Sequence, residues 1–108
     1  MDDILSDLEV LALAAVMQLG EGAYGVSVRD EILERTGRSV SVGSLYKALQ
    51  RLEERELIES RVGEPTSERG GRAKKHLRIR PAGRAALEAS VATFHRMIEG
   101  LGMDPEAT

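Results

Sequence analysis

Hydrophobic and polar residues follow one another in patterns that predict four helices and one β-hairpin. Near the start of the chain, apolar residues recur at spacings of three and four, as on one face of a helix, at Ile4, Leu8, Leu11, Ala15 and Leu19. This pattern predicts a first helix over residues 4–19. Three glycines within residues 20–25 interrupt the pattern and end the helix.

Two further helices are marked by capping residues. Ser27 stands three residues before Asp30, a spacing typical of a helix start, and predicts a second helix over about residues 28–35 that closes at Gly37. Ser41 is the predicted N-cap of the third helix, which begins at the next residue. The buried stripe of this helix is formed by Leu45, Ala48, Leu49 and Leu52.

The outward face of the third helix is polar, and the residues at its beginning are small. At about 100° per residue, the side opposite the buried stripe carries Gly43, Lys47, Gln50 and Glu54, with Ser44 and Arg51 beside them and Tyr46 at the boundary. Acidic residues gather at the far end of the helix. An anion would therefore meet the N-terminal half, which also carries the positive end of the helix dipole.

Two alternating stretches predict a β-hairpin with a long connection. Ile58, Ser60 and Val62 alternate with charged residues in the stretch 57–62, and Leu77 and Ile79 alternate with basic residues and His76 in the stretch 76–80. The connection over residues 63–74 is long for a hairpin and poor in hydrophobic residues, which is typical of a functional loop.

The last predicted helix begins at Pro81, since proline suits the first helical turn. An apolar stripe follows at spacings of four and three and consists of Leu87, Val91, Phe94, Ile98 and Leu101. A stripe of this kind needs a surface that covers it. In so short a chain we expect that surface to be a second copy of the protein.

Composition limits the classes of protein that fit. The chain has 108 residues, enough for one domain, and its 42% of hydrophobic residues favours folding over disorder. The absence of cysteine excludes disulfides, thiolate metal sites and cysteine nucleophiles. The longest apolar run, residues 10–17, is too short to cross a membrane, and the acidic start differs from a secretory signal, so we expect a cytoplasmic protein.

The acidic net charge of −3 conceals a basic central region. Residues 38–80 hold eleven basic residues against six acidic ones, and the segment from Arg69 to Arg84 holds seven basic residues and no acidic one. This segment can present positive potential to an anionic partner although the whole chain is acidic. A solvated loop would account for the same cluster, so the place of the cluster in the fold decides between the two interpretations.

Catalytic and metal chemistry have little support in the sequence. His76 and His95 lie on a predicted strand and a late helix, with no spaced carboxylate motif around them. Gly70 and Gly71 do not form a phosphate loop, because the lysine–serine ending and the following helix are missing. We therefore predict neither an enzyme nor a site for a metal or cofactor.

Three helices followed by a hairpin with a basic tip is the order of a winged helix-turn-helix, whose third helix enters the major groove. The run from Gly43 to Glu54, Gly-Ser-Leu-Tyr-Lys-Ala-Leu-Gln-Arg-Leu-Glu-Glu, resembles the signature of PadR-type transcriptional regulators. The resemblance spans about residues 8–88 and includes Ala23-Tyr24-Gly25, Leu57-Ile58, Arg72-Ala73-Lys74-Lys75 and Ala82-Gly83-Arg84. In the second wing strand, His76 and Leu77 replace the family's usual tyrosine pair.

The fold class that follows is mainly α with a small β-hairpin. We predict a winged helix-turn-helix DNA-binding domain over residues 1–80 and a C-terminal dimerisation helix over residues 81–104 within one compact unit. Resemblance to the short PadR subfamily implies a homodimeric repressor that binds a pseudo-palindromic operator in double-stranded DNA and is released by a small-molecule effector or another signal. The alternative function is a winged-helix protein-interaction module that does not bind DNA.

The residues expected to carry these functions fall into two groups. The predicted DNA-binding residues are Ser41, Gly43, Ser44, Tyr46, Lys47, Gln50, Arg51, Arg69, Arg72, Lys74 and Lys75. The predicted dimerisation residues are those of the apolar stripe, Leu87, Val91, Phe94, Ile98 and Leu101. Two alternatives stay open: Tyr46 packs against the second helix or the wing instead of facing DNA, and Arg51 pairs with Glu54 on its own helix.

Overall fold

The computed structural model describes residues 4–63 and 75–103 and confirms the predicted order of elements. Helices α1, α2 and α3 are followed by strands β1 and β2 of an antiparallel hairpin and by helix α4. Their bounds are α1 Asp7–Leu19, α2 Gly25–Thr36, α3 Val42–Glu54, β1 Ile58–Val62, β2 Lys75–Ile79 and α4 Pro81–Ile98, with one turn of 3₁₀ helix at Gly20–Gly22 between α1 and α2.

Helix α1 begins at Asp7, so the prediction that it starts at residue 4 is wrong. The cause is a capping box at Ser6: its hydroxyl accepts a hydrogen bond from the Glu9 backbone N–H at 3.1 Å, and the Glu9 carboxylate accepts one from the Ser6 backbone N–H at 2.7 Å. Leu5 is buried ahead of the helix, whereas Ile4 is exposed. Ile4 therefore does not belong to the buried helical face.

Helix α2 begins at Gly25, three residues earlier than predicted, so Ser27 is not its N-cap. Ser27 lies inside the first turn, where its hydroxyl accepts a hydrogen bond from the Tyr24 backbone N–H at 2.9 Å. The same hydroxyl donates to the carbonyl of Gly22 at 2.6 Å. At the other end the prediction is confirmed, since Gly37 adopts the left-handed conformation, with φ of 77°, that closes the helix.

The core lies where α1, α2 and α3 meet, and the hairpin covers one side of it. The largest fully buried side chains come from all three helices and from β1: Leu13, Val16, Val28, Leu45, Leu52 and Ile58. Leu77 of β2 and Leu57 before β1 extend the same cluster. Because each helix contributes an apolar stripe to this one core, the opposite face of α3 is left for solvent or a partner.

The hairpin pairs Ile58 with Ile79, Ser60 with Leu77 and Val62 with Lys75. The segment before α2 joins its free edge, because the Leu77 backbone N–H donates to the carbonyl of Ala23 at 2.8 Å. Next to this bond, the Tyr24 ring meets His76 edge to face, with ring centroids 6.1 Å apart. The start of α2 and the base of the wing therefore form one connected unit.

Helix α4 begins at Pro81, as predicted, and packs against α1. Leu87 in its N-terminal half packs against the protein's own core, whereas Val91 and Phe94 are exposed. The helix ends at Ile98, so the prediction that it extends to residue 104 is wrong, and Leu101 lies in the turn beyond it. None of the helices in the described ranges combines the length and apolar character needed to cross a membrane.

Candidate nucleic-acid interface

The N-terminal half of α3 presents a small, polar and exposed surface. Ser41 is the N-cap, as predicted: its hydroxyl accepts a hydrogen bond from the Ser44 backbone N–H at 3.1 Å. The buried stripe of α3 faces the core, which directs the opposite residues to solvent. The exposed predicted residues are Ser41, Gly43, Ser44, Tyr46, Lys47, Gln50 and Arg51.

Gly43 stands in open space on this surface. A β-carbon built on it would have no atom within 4 Å, so no packing inside the described part of the molecule requires a glycine here. Its small size leaves the helix backbone accessible at the end where unpaired backbone N–H groups and the helix dipole attract anions. The arrangement suits close approach of a phosphate or base edge to the start of α3.

Tyr46 packs against the start of α2 while remaining 49% exposed. Its Cε1 and Oη atoms lie 2.5 and 2.6 Å from the position that a β-carbon of Gly25 would occupy. The packing that we left open as an alternative is therefore present. The hydroxyl group lies beside the first residue of α2, so Tyr46 connects the surface of α3 to the beginning of α2.

Arg51 does not pair with Glu54, the alternative considered for it. Within residues 4–63 and 75–103 no salt bridge joins Arg51 to a carboxylate, and the Glu54 carboxylate instead lies 3.4 Å from the side-chain amide of Gln50. Lys47 is likewise exposed and has no ion pair in the described ranges. Both cations on the outward face are thus available to an external anion.

Glu53 joins α3 to both strands of the hairpin. Its carboxylate accepts a hydrogen bond from the Ser60 hydroxyl of β1 at 2.5 Å and lies 3.4 Å from the Lys75 Nζ of β2. We call these three residues the Glu53 cluster. Sequence reasoning missed it, since Ser60 and Lys75 carry no local signal of a contact with α3 and only the hairpin register brings them there.

The surroundings of the Glu53 carboxyl group change its pKa. The hydrogen bond from Ser60 is the strongest influence and lowers the pKa of Glu53; partial burial raises this pKa, while the charge and hydrogen bond of Lys75 lower it further. The net effect holds the Glu53 pKa below its ordinary value. Lys75, predicted as a DNA contact, is therefore partly neutralised by a carboxylate of the protein itself.

A groove runs between α3, the start of α2 and the base of the wing. Its lining combines aromatic, aliphatic and polar residues and includes Tyr24, Val26, Tyr46, Leu49, Gln50, Glu53, Glu54, Lys75 and Leu77. The groove brings Tyr46, Gln50 and Lys75 of the predicted DNA-binding set to one surface. Three other predicted wing residues, Arg69, Arg72 and Lys74, lie outside the described residues.

Two further cations, one on β2 and one directly after it, form ion pairs with a carboxylate of β1. Arg80 and Arg78 lie 3.4 and 3.9 Å from the two carboxylate oxygens of Glu59. Within residues 4–63 and 75–103, no three histidine, cysteine, aspartate or glutamate side chains gather closely enough to hold a metal ion.

Comparison with known proteins agrees with this geometry. The sequence matches the Transcriptional regulator PadR-like family over residues 13–89. A relative from Lysinibacillus sphaericus, itself uncharacterized, is 33% identical over 100 residues, which cover 91% of this chain and 87% of the relative. The matched range contains α2, α3, the hairpin and the first half of α4.

Solved structures share the fold. A PadR family transcription regulator from Clostridium difficile superposes with a TM-score of 0.69 at 23% identity, over 89% of this chain and 94% of that one. A winged-helix DNA-binding protein from STIV superposes with a TM-score of 0.67 at 20% identity, over 84% of this chain and 90% of that one. The three helices and hairpin of this chain therefore form a winged helix.

Proposed function

The chain belongs to the PadR-like family of transcriptional regulators, and from this premise we propose that it is a homodimeric repressor that binds a pseudo-palindromic operator in the cytoplasm and is released by a small molecule. As a member of this family it is a regulator of transcription and not an enzyme. The proposal concerns the finer points: repression, the dimer, the residues that touch DNA and the signal that releases it.

The observation that carries the proposal is the exposed N-terminal half of α3. In helix-turn-helix proteins the N-terminal residues of the recognition helix contact base edges in the major groove. Here Gly43 and Ser44 are small and exposed, and Lys47 and Gln50 are exposed and can donate hydrogen bonds. Lysine donates to the acceptor atoms of guanine and glutamine pairs with adenine, so both side chains suit sequence readout.

The wing supplies the sequence-independent part of binding. Arg69, Arg72 and Lys74 follow one another in the connection between β1 and β2, and a cation that meets the phosphate backbone adds affinity without reading sequence. Lys75 lies at the base of the same wing, but it already forms an ion pair with the Glu53 carboxylate. We therefore assign the stronger phosphate contacts to the three residues beyond the Glu53 cluster.

The C-terminal half of α4 favours a second copy as its partner. Phe94 is 62% exposed and Met97 is exposed beside it, while Val91 continues the apolar surface toward α1. A small protein gains stability when such a face is buried in a symmetric pair. A dimer formed through α4 presents two copies of α3, and a dimeric helix-turn-helix protein reads half-sites about 34 Å apart.

A groove between α1 and α4 gives the proposed effector a place to bind. It is lined by Met17, Leu87, Val91 and Ala92, with Arg84, Glu88, His95 and Arg96 around them. A ligand here would bias the packing of α4 and hence the separation of the recognition helices. Operator affinity should then change when a suitable compound is added. A groove that is closed and fully packed in the dimer, together with an operator affinity that no candidate compound changes, would contradict the proposed effector site.

One titration tests DNA binding against the alternative of a protein-interaction module. Fragments of genomic DNA retained by the purified protein are sequenced, and the affinity for the enriched duplex and for a random duplex is measured at several salt concentrations. We expect tighter binding to the enriched duplex and a fall of log affinity with log salt. The interaction-module function predicts no enriched sequence and no salt-dependent binding to either duplex.

A further inference from the structure

We propose that Val42 is a specificity-determining residue that recognises a thymine through its C5-methyl group. Val42 is the first residue of α3 and is 48% exposed. It lies at the end of the helix that enters the major groove in helix-turn-helix proteins. The inference rests on the proposed function, because it requires that α3 is the recognition helix.

Val42 is unusual among its neighbours on this surface. Ser41, Gly43 and Ser44 are exposed and small or polar, so Val42 contributes the apolar side chain at the start of α3. It is not part of the hydrophobic core, to which α3 contributes its buried stripe. A β-branched residue also forms helix less readily than alanine, so neither core packing nor helix propensity accounts for valine here.

The chemistry of the major groove limits what an apolar side chain can recognise there. Guanine, cytosine and adenine present hydrogen-bond donors and acceptors to this groove, whereas thymine also presents a methyl group. A valine pressed against donor or acceptor atoms would remove them from water without replacing their hydrogen bonds. The favourable contact for Val42 is therefore a thymine methyl group, brought close because the next residue, Gly43, has no side chain.

A second exposed valine provides the alternative location for such a contact. Val26 lies in the first turn of α2 and is also exposed, on the groove that Tyr46 lines. In helix-turn-helix proteins the helix before the recognition helix crosses the DNA backbone, where phosphates offer nothing to an apolar side chain. We therefore assign the methyl contact to Val42 and use Val26 as its matched control.

The test replaces thymine by deoxyuridine, which pairs in the same way but lacks the methyl group. Each thymine of the duplex enriched from genomic DNA is exchanged in turn, and dissociation constants are measured for the wild-type protein, Val42→Ala and Val26→Ala. Wild type should bind about fourfold more weakly when one particular thymine of each half-site is exchanged, the factor expected for one methyl-sized group. Val42→Ala should lose this dependence, and Val26→Ala should retain it.

Thermal unfolding of both variants checks that they fold, and Val42→Ala should be at least as stable as wild type because the side chain is exposed and alanine favours helix. Equal affinity of wild type for every exchanged duplex would overturn the inference while leaving the proposed function intact. So would a methyl effect that persists in Val42→Ala or disappears in Val26→Ala. Absence of salt-dependent binding to any duplex would instead overturn the proposed function, and the role of Val42 with it.

Discussion

A β-carbon on Gly83 would lie 2.1 Å from the carbonyl oxygen of Leu57. Gly83 is buried in the first turn of α4, and Leu57 stands just before β1. The same carbonyl accepts a hydrogen bond from the Arg80 backbone N–H at 2.9 Å. Helix α4 therefore approaches the backbone at the base of the wing more closely than any residue with a side chain would allow.

The first prediction follows from this approach. Gly83→Ala should lower the free energy of unfolding by about 1–3 kcal/mol, because its methyl group overlaps backbone that must move and the strain exceeds the gain in helix propensity. Chemical denaturation followed by circular dichroism measures the change. A variant as stable as wild type would show that α4 can shift away from Leu57 at no cost.

Gly43→Ala is the matched substitution in α3, and it should have the opposite effect on stability. A β-carbon at this position meets no atom within 4 Å, so alanine should raise the free energy of unfolding by about 0.5–1 kcal/mol. DNA binding should nevertheless weaken, since the added methyl group stands between the helix backbone and the groove. Undiminished operator affinity in a stabilised Gly43→Ala protein would place the DNA contact elsewhere.

Local patterns were sufficient to predict the elements whose ends are set by neighbouring residues. The Ser41 cap and the Gly37 closure depend on bonds within a few residues, and both are confirmed. The start of α1 was missed although its signal was present, because Ser6 and Glu9 have the spacing of a capping box. At Ser27 a similar spacing gave the wrong boundary, since the hydroxyl bonds backward to Tyr24.

The candidate site was only partly predictable, for a physical reason. Helical periodicity places Lys47 and Gln50 on the outward face without any knowledge of tertiary structure, and the structure agrees. By contrast, the contact between Tyr24 and His76 and the Glu53 cluster join segments that are distant in sequence. Such contacts depend on strand register and helix packing, which single-sequence periodicity does not determine.

The Glu53 cluster predicts a pH-dependent contribution to stability. A carboxylate whose folded pKa is lowered stabilises the fold above its unfolded pKa, about 4.3 for glutamic acid, and loses this contribution as the pH falls through the folded pKa. Glu53→Gln should therefore be less stable than wild type at pH 7, with the difference vanishing in acid. The loss should not exceed about 1 kcal/mol, since the side chain is 38% exposed and water screens the pair with Lys75.

Denaturation of wild type and Glu53→Gln from pH 7 to pH 3 measures this effect. Glu54→Gln is the control, because Glu54 is the next residue along the helix and lies outside the cluster; its pH profile should follow that of wild type. If the free energy of unfolding depends on pH in the same way for wild type and Glu53→Gln, the carboxylate charge does not stabilise the contact between the wing and α3.

The apolar face of α4 predicts a dimer that one charge can dissociate. Phe94→Glu should yield a folded monomer at micromolar concentration, because a glutamate cannot be buried unpaired against a second copy. Truncating the chain so that it ends before Leu87 would be a poorer test, since Leu87 also packs against the protein's own core. Ala89→Glu, on the opposite side of α4, should remain a dimer. Light scattering that shows wild type as a monomer would contradict the proposal.

The wing and α3 should differ in how their cations contribute to DNA binding. A cation that contacts phosphate releases condensed counterions, so its removal lowers affinity for all sequences and reduces the slope of log affinity against log salt by about one unit. Lys74→Ala should behave in this way. Lys47→Ala should instead weaken operator binding more than random binding, by about 1–3 kcal/mol if a bidentate base contact is lost.

Lys75 provides the internal comparison, because it follows Lys74 directly in sequence yet lies 3.4 Å from the Glu53 carboxylate. Its positive charge is partly compensated before DNA arrives, so Lys75→Ala should reduce the salt slope by less than Lys74→Ala does. In a Glu53→Gln background that compensation is absent. There Lys75→Ala should reduce the salt slope by nearly as much as Lys74→Ala does. Titrations against operator and random duplex at several salt concentrations measure these slopes for five proteins: wild type, Lys74→Ala, Lys75→Ala, Glu53→Gln and the double variant Glu53→Gln/Lys75→Ala. If alanine at Arg69, Arg72, Lys74 and Lys75 leaves every slope unchanged, the wing does not touch DNA, and the affinity must come from α3 alone.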